Sequence, residues 1–373
     1  MNFSFTEDQL AIQSLANQIF TDQATDESLL NFSRTEATYD DALWQSLAEQ
    51  GLLAVSLPEN LGGSDLGFVE LCLILEEQGR RVAPVPLFSS LILAALPLLE
   101  FASEELQQQW LKPLALGTVK LTAATTQFAS DAALPIISKA GVLSGVQPAV
   151  LDGSVANAIL IPAIEDNGDV SFYLIDTASA GVKVSAQHSF NGETFATITL
   201  DQVPGSLVGK KGQGNTILQW LEPLADVAIA ALQQGVCDEA VKRTAAFTGE
   251  RTQFGTAIGT FQAVAMRAAD AYIDCEAMRS AYWGALWRVA EGLDARAESR
   301  VAKYWACQGA HKVVHACQHL HGGIGADVEY PIHRFFIFAK QLSFISGSSA
   351  IQLKHLGELL ASNDEAGLSS LSI

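Results

Sequence analysis

The chain has 373 residues, with 22 basic against 41 acidic side chains and a net charge of −19 at pH 7. Hydrophobic residues make up 49% and charged residues 17%, which excludes intrinsic disorder and, at this length, predicts two or three subdomains. The acidity argues against a nucleic-acid backbone or an anionic membrane as partner, and the shortage of charge suggests surface buried in an oligomer.

Residues 1–10 carry neither a cationic nor an apolar leader region, so no signal peptide is expected and the expected location is cytoplasmic. The greasiest stretch, 82–99, is interrupted by Pro84, Pro86 and Pro97, short of the roughly 20 unbroken apolar residues that span a bilayer. Cys72, Cys237, Cys275, Cys307 and Cys317 are scattered without a Cys-x-x-Cys pair. They read as reduced thiols, and no metal site is expected.

In chain order, Thr6 with Gln9 forms a capping-box pattern ahead of Leu10, Ile12, Leu15 and Ile19 at helical spacing. A second helix carries Leu43, Trp44 and Leu47 and stops at Gly51, a turn-rich segment covers 58–63, and a third helix runs from Phe68 to Gly79. Helical pattern continues to about Leu116. From about Lys120 to Gly209 the chain breaks into short β-favouring runs, clearest at 157–162, 170–175 and 196–200, the last alternating Ala196, Ile198 and Leu200 with Thr197 and Thr199. No helical crossovers lie between them, which argues against a Rossmann unit. Beyond Gly214 long helices return. Phe261, Val264, Ala268, Tyr272, Cys275, Met278, Tyr282 and Leu286 form a stripe expected in core or a subunit seam. Two further helices are expected over 297–361, joined by a turn around 321–325.

Two motifs carry chemistry. Arg251-Thr252-Gln253-Phe254-Gly255 is followed by Ile258-Gly259-Thr260-Phe261-Gln262-Ala263, and His321-Gly322-Gly323-Ile324-Gly325 lies downstream. Arginine offers a planar fork for two phosphate oxygens, with Phe254 expected to pack beneath it and Gly255 to end the helix. Paired glycines let a backbone approach a cofactor closely. Together with Pro58–Gly63, Gly67 and the run 75–80, these motifs resemble the acyl-CoA dehydrogenase family over essentially the whole chain. The resemblance implies an α+β fold: an N-terminal helical domain (1–117), a small middle β-barrel or sheet domain (118–210) and a C-terminal four-helix bundle (211–373). It also implies FAD as cofactor, an acyl-CoA substrate and an electron-transfer flavoprotein as acceptor. Arg251, Phe254, Gln262, His319, Gly322 and Gly323 would contact the ADP half of a neighbouring subunit's FAD.

The sequence departs from the family where the base belongs. Many members carry a glutamate before a Gly-Thr pair in the last helical segment; here Phe344-Ile345-Ser346-Gly347-Ser348-Ser349 puts Ser346 there, and a hydroxyl cannot replace a carboxylate base. Others carry it on the first long C-terminal helix, at Ala225 by ungapped count, so Asp226 or Glu222 are candidates, with a solvated charge near the helix start as the plainer reading. The flavin- and thioester-binding segment is reduced to 125–131, and the segment that packs on the flavin ring becomes Ala149-Val150-Leu151-Asp152, without an aromatic platform. This pattern resembles one subunit of a heteromeric α₂β₂ acyl-CoA dehydrogenase of bacterial steroid side-chain degradation, and the run 80–86 is similar to that short branch. A self-sufficient homo-oligomer using Asp226 or Glu222, and a catalytically silent scaffold, remain as alternatives.

Overall fold

The computed structural model describes residues 5–125, 128, 136–190 and 194–362. Helices α1 (Glu7–Gln23), α2 (Asp26–Phe32), α3 (Asp41–Glu49) and α4 (Phe68–Arg81) come first, then a π-helical segment (Phe88–Ala95), α5 (Leu96–Phe101) and α6 (Glu104–Ala115). Eight strands follow: β1 (Leu121–Ala123), β2 (Ile136–Lys139), β3 (Val142–Leu151), β4 (Ala158–Glu165), β5 (Val170–Asp176), β6 (Val182–His188), β7 (Thr194–Pro204) and β8 (Ser206–Val208). After α7 (Gly214–Glu250) come a hairpin, β9 (Thr252–Gln253) and β10 (Thr256–Ala257), then α8 (Gln262–Ala290), α9 (Arg296–His321), α10 (Ile332–Leu342) and α11 (Ser349–Ser362). The final segment thus holds three helices rather than two. Positive φ at Ser346 and Gly347 ends α10 before α11 can begin. No described helix is long and apolar enough to cross a membrane.

The chain divides into two compact units. In the unit formed by 35–71 and 84–225, the strands make one mixed sheet in the order β6-β7-β3-β2-β4-β5-β8, with β1 parallel to the start of β4. Ala196, Ile198 and Leu200 of β7 point into its core with Ile136, Leu143, Ile159, Ile161 and Val203, as their alternation requires. On the helical side Trp44 is fully buried, and its Nε1 donates to Gly117 O at 2.8 Å, so the indole loses no hydrogen bond on burial.

In the unit formed by 1–34, 72–83 and 226–373, the helices enclose a core that includes Met278, Tyr282, Val313, Phe335 and Leu342. The stripe on α8 splits: Cys275, Met278, Tyr282 and Leu286 are buried, whereas Phe261 and Tyr272 stay exposed. α4 and α7 cross at glycines. A Cβ on Gly79 would lie 2.0 Å from Leu232 O, and one on Gly235 would lie 1.9 Å from Glu76 O.

An ionic cluster surrounds this crossing. Arg80 pairs with Glu76, with Glu77 and, at 2.9 Å, with Asp238, and Arg279 also reaches Asp238. Burial outweighs the two guanidiniums and pushes the Glu76 carboxyl up from 4.5 to about 7. The folded protein therefore holds that proton more tightly than the unfolded chain. The resulting stability is full below about 4.5 and is lost as pH rises through about 7. Asp152, pushed up to about 6 by burial, acts in the same direction. Glu76→Gln should flatten the fall of Tm across this window, and an unchanged slope in a Tm–pH series would rule out the assignment.

Candidate functional site

The Arg251 motif is a hairpin rather than a helix end. α7 stops at Glu250; Arg251 N donates to Phe247 O at 2.8 Å, and its carbonyl accepts from Ile258 N at 2.8 Å. Gln253 pairs with Thr256, while Phe254 (φ 54°) and Gly255 (φ 82°) are both left-handed, as a two-residue hairpin turn demands. That backbone swings the Phe254 ring outward, so it is 95% exposed instead of packed beneath Arg251, and touches only the edge of Phe261. A bulky residue at positive φ is strained, and within the described residues nothing covers it in return. Arg251 and Gln262 are exposed as well, and the Arg251 guanidinium makes no ion pair to a described residue.

The glycine corner closes α9. Gly322 adopts φ 66° and ψ −143°, a combination that suits glycine. A Cβ on Gly322 or Gly323 would meet nothing within 4 Å, so the corner's outer face is open. His319, Gly322 and Gly323 are exposed. His321 is not: its Nδ1 bonds Cys317 O at 2.8 Å, burial pulls its pKa down, and the neutral ring stacks on Phe247 at 4.4 Å. Phe247 lies four residues before Arg251, so this stack draws the hairpin and the glycine corner together. His321 stands in the sequence motif, but nothing near it in the chain signals this positioning role, which depends on Phe247.

The base candidates converge on one side chain. Asp226 is fully buried on α7, not solvated at a helix start, because α11 lays Gln352 against it. Gln352 Nε2 donates to Asp226 Oδ1 at 3.3 Å and to Ser346 O at 2.9 Å, and its Oε1 accepts from Arg300 at 3.3 Å. Ser346 is 5% exposed at φ 56°, and its hydroxyl makes no hydrogen bond to a described residue. Glu222, one turn before Asp226, is half-buried. Gln352 carried no motif signal; only the fold brings it to Asp226.

In the β-sheet unit, Asp152 is turned inward at φ 53°, and its carboxylate accepts from Ser89 Oγ at 2.6 Å and Thr194 Oγ1 at 3.3 Å. Most of the segment 125–131 lies outside the described residues. Among the described residues, no three His, Cys, Asp or Glu side chains gather as metal ligands would.

Residues 6–118 match the family model for the acyl-CoA dehydrogenase N-terminal domain, and residues 213–361 match that for the acyl-CoA dehydrogenase C-terminal domain. The chain belongs to the acyl-CoA dehydrogenase family. It is 33% identical to acyl-CoA dehydrogenase FadE27 of Mycobacterium tuberculosis, over 97% of this chain and 99% of that one. Among solved structures it resembles a variant of the Tcur3481-Tcur3483 steroid ACAD (39% identity, TM-score 0.87, 95% and 98% coverage). It also resembles the ChsE4-ChsE5 complex of M. tuberculosis (33% identity, TM-score 0.90, 97% and 100% coverage). N-terminal helices, a middle β-sheet and C-terminal helices are therefore the acyl-CoA dehydrogenase fold, and the family is one of oxidoreductases.

Proposed function

We propose that this chain is one subunit of a FAD-dependent acyl-CoA dehydrogenase that desaturates the α,β bond of a bulky acyl-CoA, such as a steroid side-chain ester, with an unlike partner supplying the base. The observation that carries this reading is Ser346. Its hydroxyl stands where the family resemblance calls for a carboxylate, and a hydroxyl cannot take up an α-proton near neutral pH. Asp226, the alternative on α7, is engaged inside its own helical unit with Gln352, which supports a structural role. Two similar structures are named for pairs of chains, one of them as a steroid ACAD.

The exposed donors suit a dinucleotide brought by another chain. Arg251 offers a fork to the diphosphate, Gly322 and Gly323 offer open backbone, His319 and Gln262 offer side-chain donors, and Phe254 offers a bare aromatic face. FAD, when bound, supplies the two-electron oxidant. This chain's residues would grip its phosphates, and residues 346–349 carry only small side chains. A separate electron-transfer flavoprotein would be the acceptor.

Asp226→Asn in the assembled enzyme is expected to keep turnover within about threefold, whereas losing a general base costs roughly 10²–10⁴-fold. A fall of that larger size, with Tm unchanged, would make Asp226 the base and this chain self-sufficient.

A further inference from the structure

Within one helical unit, three helices aim basic side chains at the same place. Arg267 of α8 and His311, Lys312 and His315 of α9 line a cavity of about 380 Å³, and Lys340 of α10 reaches His311 beside it. Lys340 Nζ contacts His311 Nδ1, the His311 and His315 rings meet edge to face at 4.3 Å, and His315 rests on Phe336 at 4.7 Å. Asp270 and Asp274 are the carboxylates of the lining, and Lys312 takes Asp274 at 3.7 Å. Arg267 and Lys340 make no ion pair to a described residue.

We propose that this groove binds the phosphate group of a small phosphorylated molecule, clamped by Arg267, His311, His315 and Lys340. Arg267 and Lys340 both act on His315 without an ion pair of their own, and a bound anion would relieve that repulsion. Burial and Lys340 hold both imidazoles below their usual pKa, with the neighbouring ring and Arg267 adding to the effect on His315. The cavity's size lies within the range of small-ligand sites, and the histidine rings add donors that a phosphate oxygen can use once protonated.

A bound anion reverses that repulsion and raises both imidazole pKa values. Binding therefore takes up protons and strengthens as pH falls. Asp270, Asp274 and Lys312 of the lining, and Lys340, also face the rings.

The full chain, titrated with inorganic phosphate at constant ionic strength, should show a saturable rise in Tm that is larger at about pH 6 than at about pH 8. The Arg267→Gln/Lys340→Gln double variant should weaken phosphate at least roughly tenfold. Without phosphate its Tm should not fall, since repulsion has been removed. ADP in place of phosphate distinguishes the sources: tighter binding with the same loss in the double variant assigns a nucleotide, and equal binding assigns free phosphate. No saturable rise, or the same rise in the double variant, overturns the proposal. So does a rise abolished by Arg251→Gln but kept by the double variant, because the anion then sits at the hairpin. The groove and the proposed dehydrogenase assembly can thus fail separately.

Discussion

Gly235→Ala is expected to cause the largest loss of stability of any single methyl group added to this chain. The new Cβ would stand 1.9 Å from Glu76 O, 2.8 Å from Arg80 N and 2.9 Å from Glu76 C. All three are backbone atoms, so no side chain can rotate away, and α4 and α7 must move apart. Separation also opens the Arg80–Asp238 pair at 2.9 Å. Overpacking costs about 1–3 kcal/mol and sometimes more, which at about 2–4 °C per kcal/mol lowers Tm by roughly 2–12 °C. Gly79→Ala meets Leu232 O at 2.0 Å and should behave alike. Gly284→Ala on α8 is the control: its Cβ would meet nothing within 4 Å, so the gain in helix propensity should leave Tm unchanged or raise it by up to about 1 kcal/mol equivalent. Equal effects at Gly235 and Gly284 would show that the α4–α7 crossing is not close.

Arg251→Gln is expected to act on cofactor and not on folding. Its guanidinium is exposed and makes no ion pair to a described residue, so stability should move by less than about 0.5 kcal/mol. A charged hydrogen-bond pair to a diphosphate is worth about 1.5–3 kcal/mol. FAD affinity of the assembled enzyme should therefore fall roughly 10- to 100-fold, read by fluorescence titration and by the flavin-to-protein ratio. Arg251→Lys keeps the charge but not the fork, so it should fall between the two. Undiminished FAD affinity in Arg251→Gln would remove the hairpin from the site.

Much of this was legible in the sequence because local patterns fixed it. The Thr6–Gln9 capping box starts α1, and both halves of the box form. The Ala196–Leu200 alternation places β7, and the stripe on α8 locates its buried half. What stayed hidden depends on partners far along the chain. Asp226 read as a solvated charge because nothing near it reveals Gln352, which lies 126 positions away. The motif alone puts Phe254 beneath Arg251, and only the pairing of Gln253 with Thr256 imposes its positive φ. The break at Ser346 and Gly347 is strained in the same sense and was absorbed into one long helix. In the π-helical segment, the partners of Ser90 Oγ (Leu121 O, 2.9 Å) and Ser89 (Asp152) lie far along the chain.

In the proposed enzyme this chain lacks a base of its own and completes a flavin site only beside an unlike acyl-CoA dehydrogenase chain. Purifying the chain alone, and again after co-expression with such a chain, then adding a steroid side-chain acyl-CoA and following flavin absorbance, tests it directly. The expected result is little bound FAD and no bleaching for the lone chain, with stoichiometric FAD and rapid bleaching for the pair. A lone chain that holds one FAD per protomer and is bleached by the acyl-CoA would contradict it.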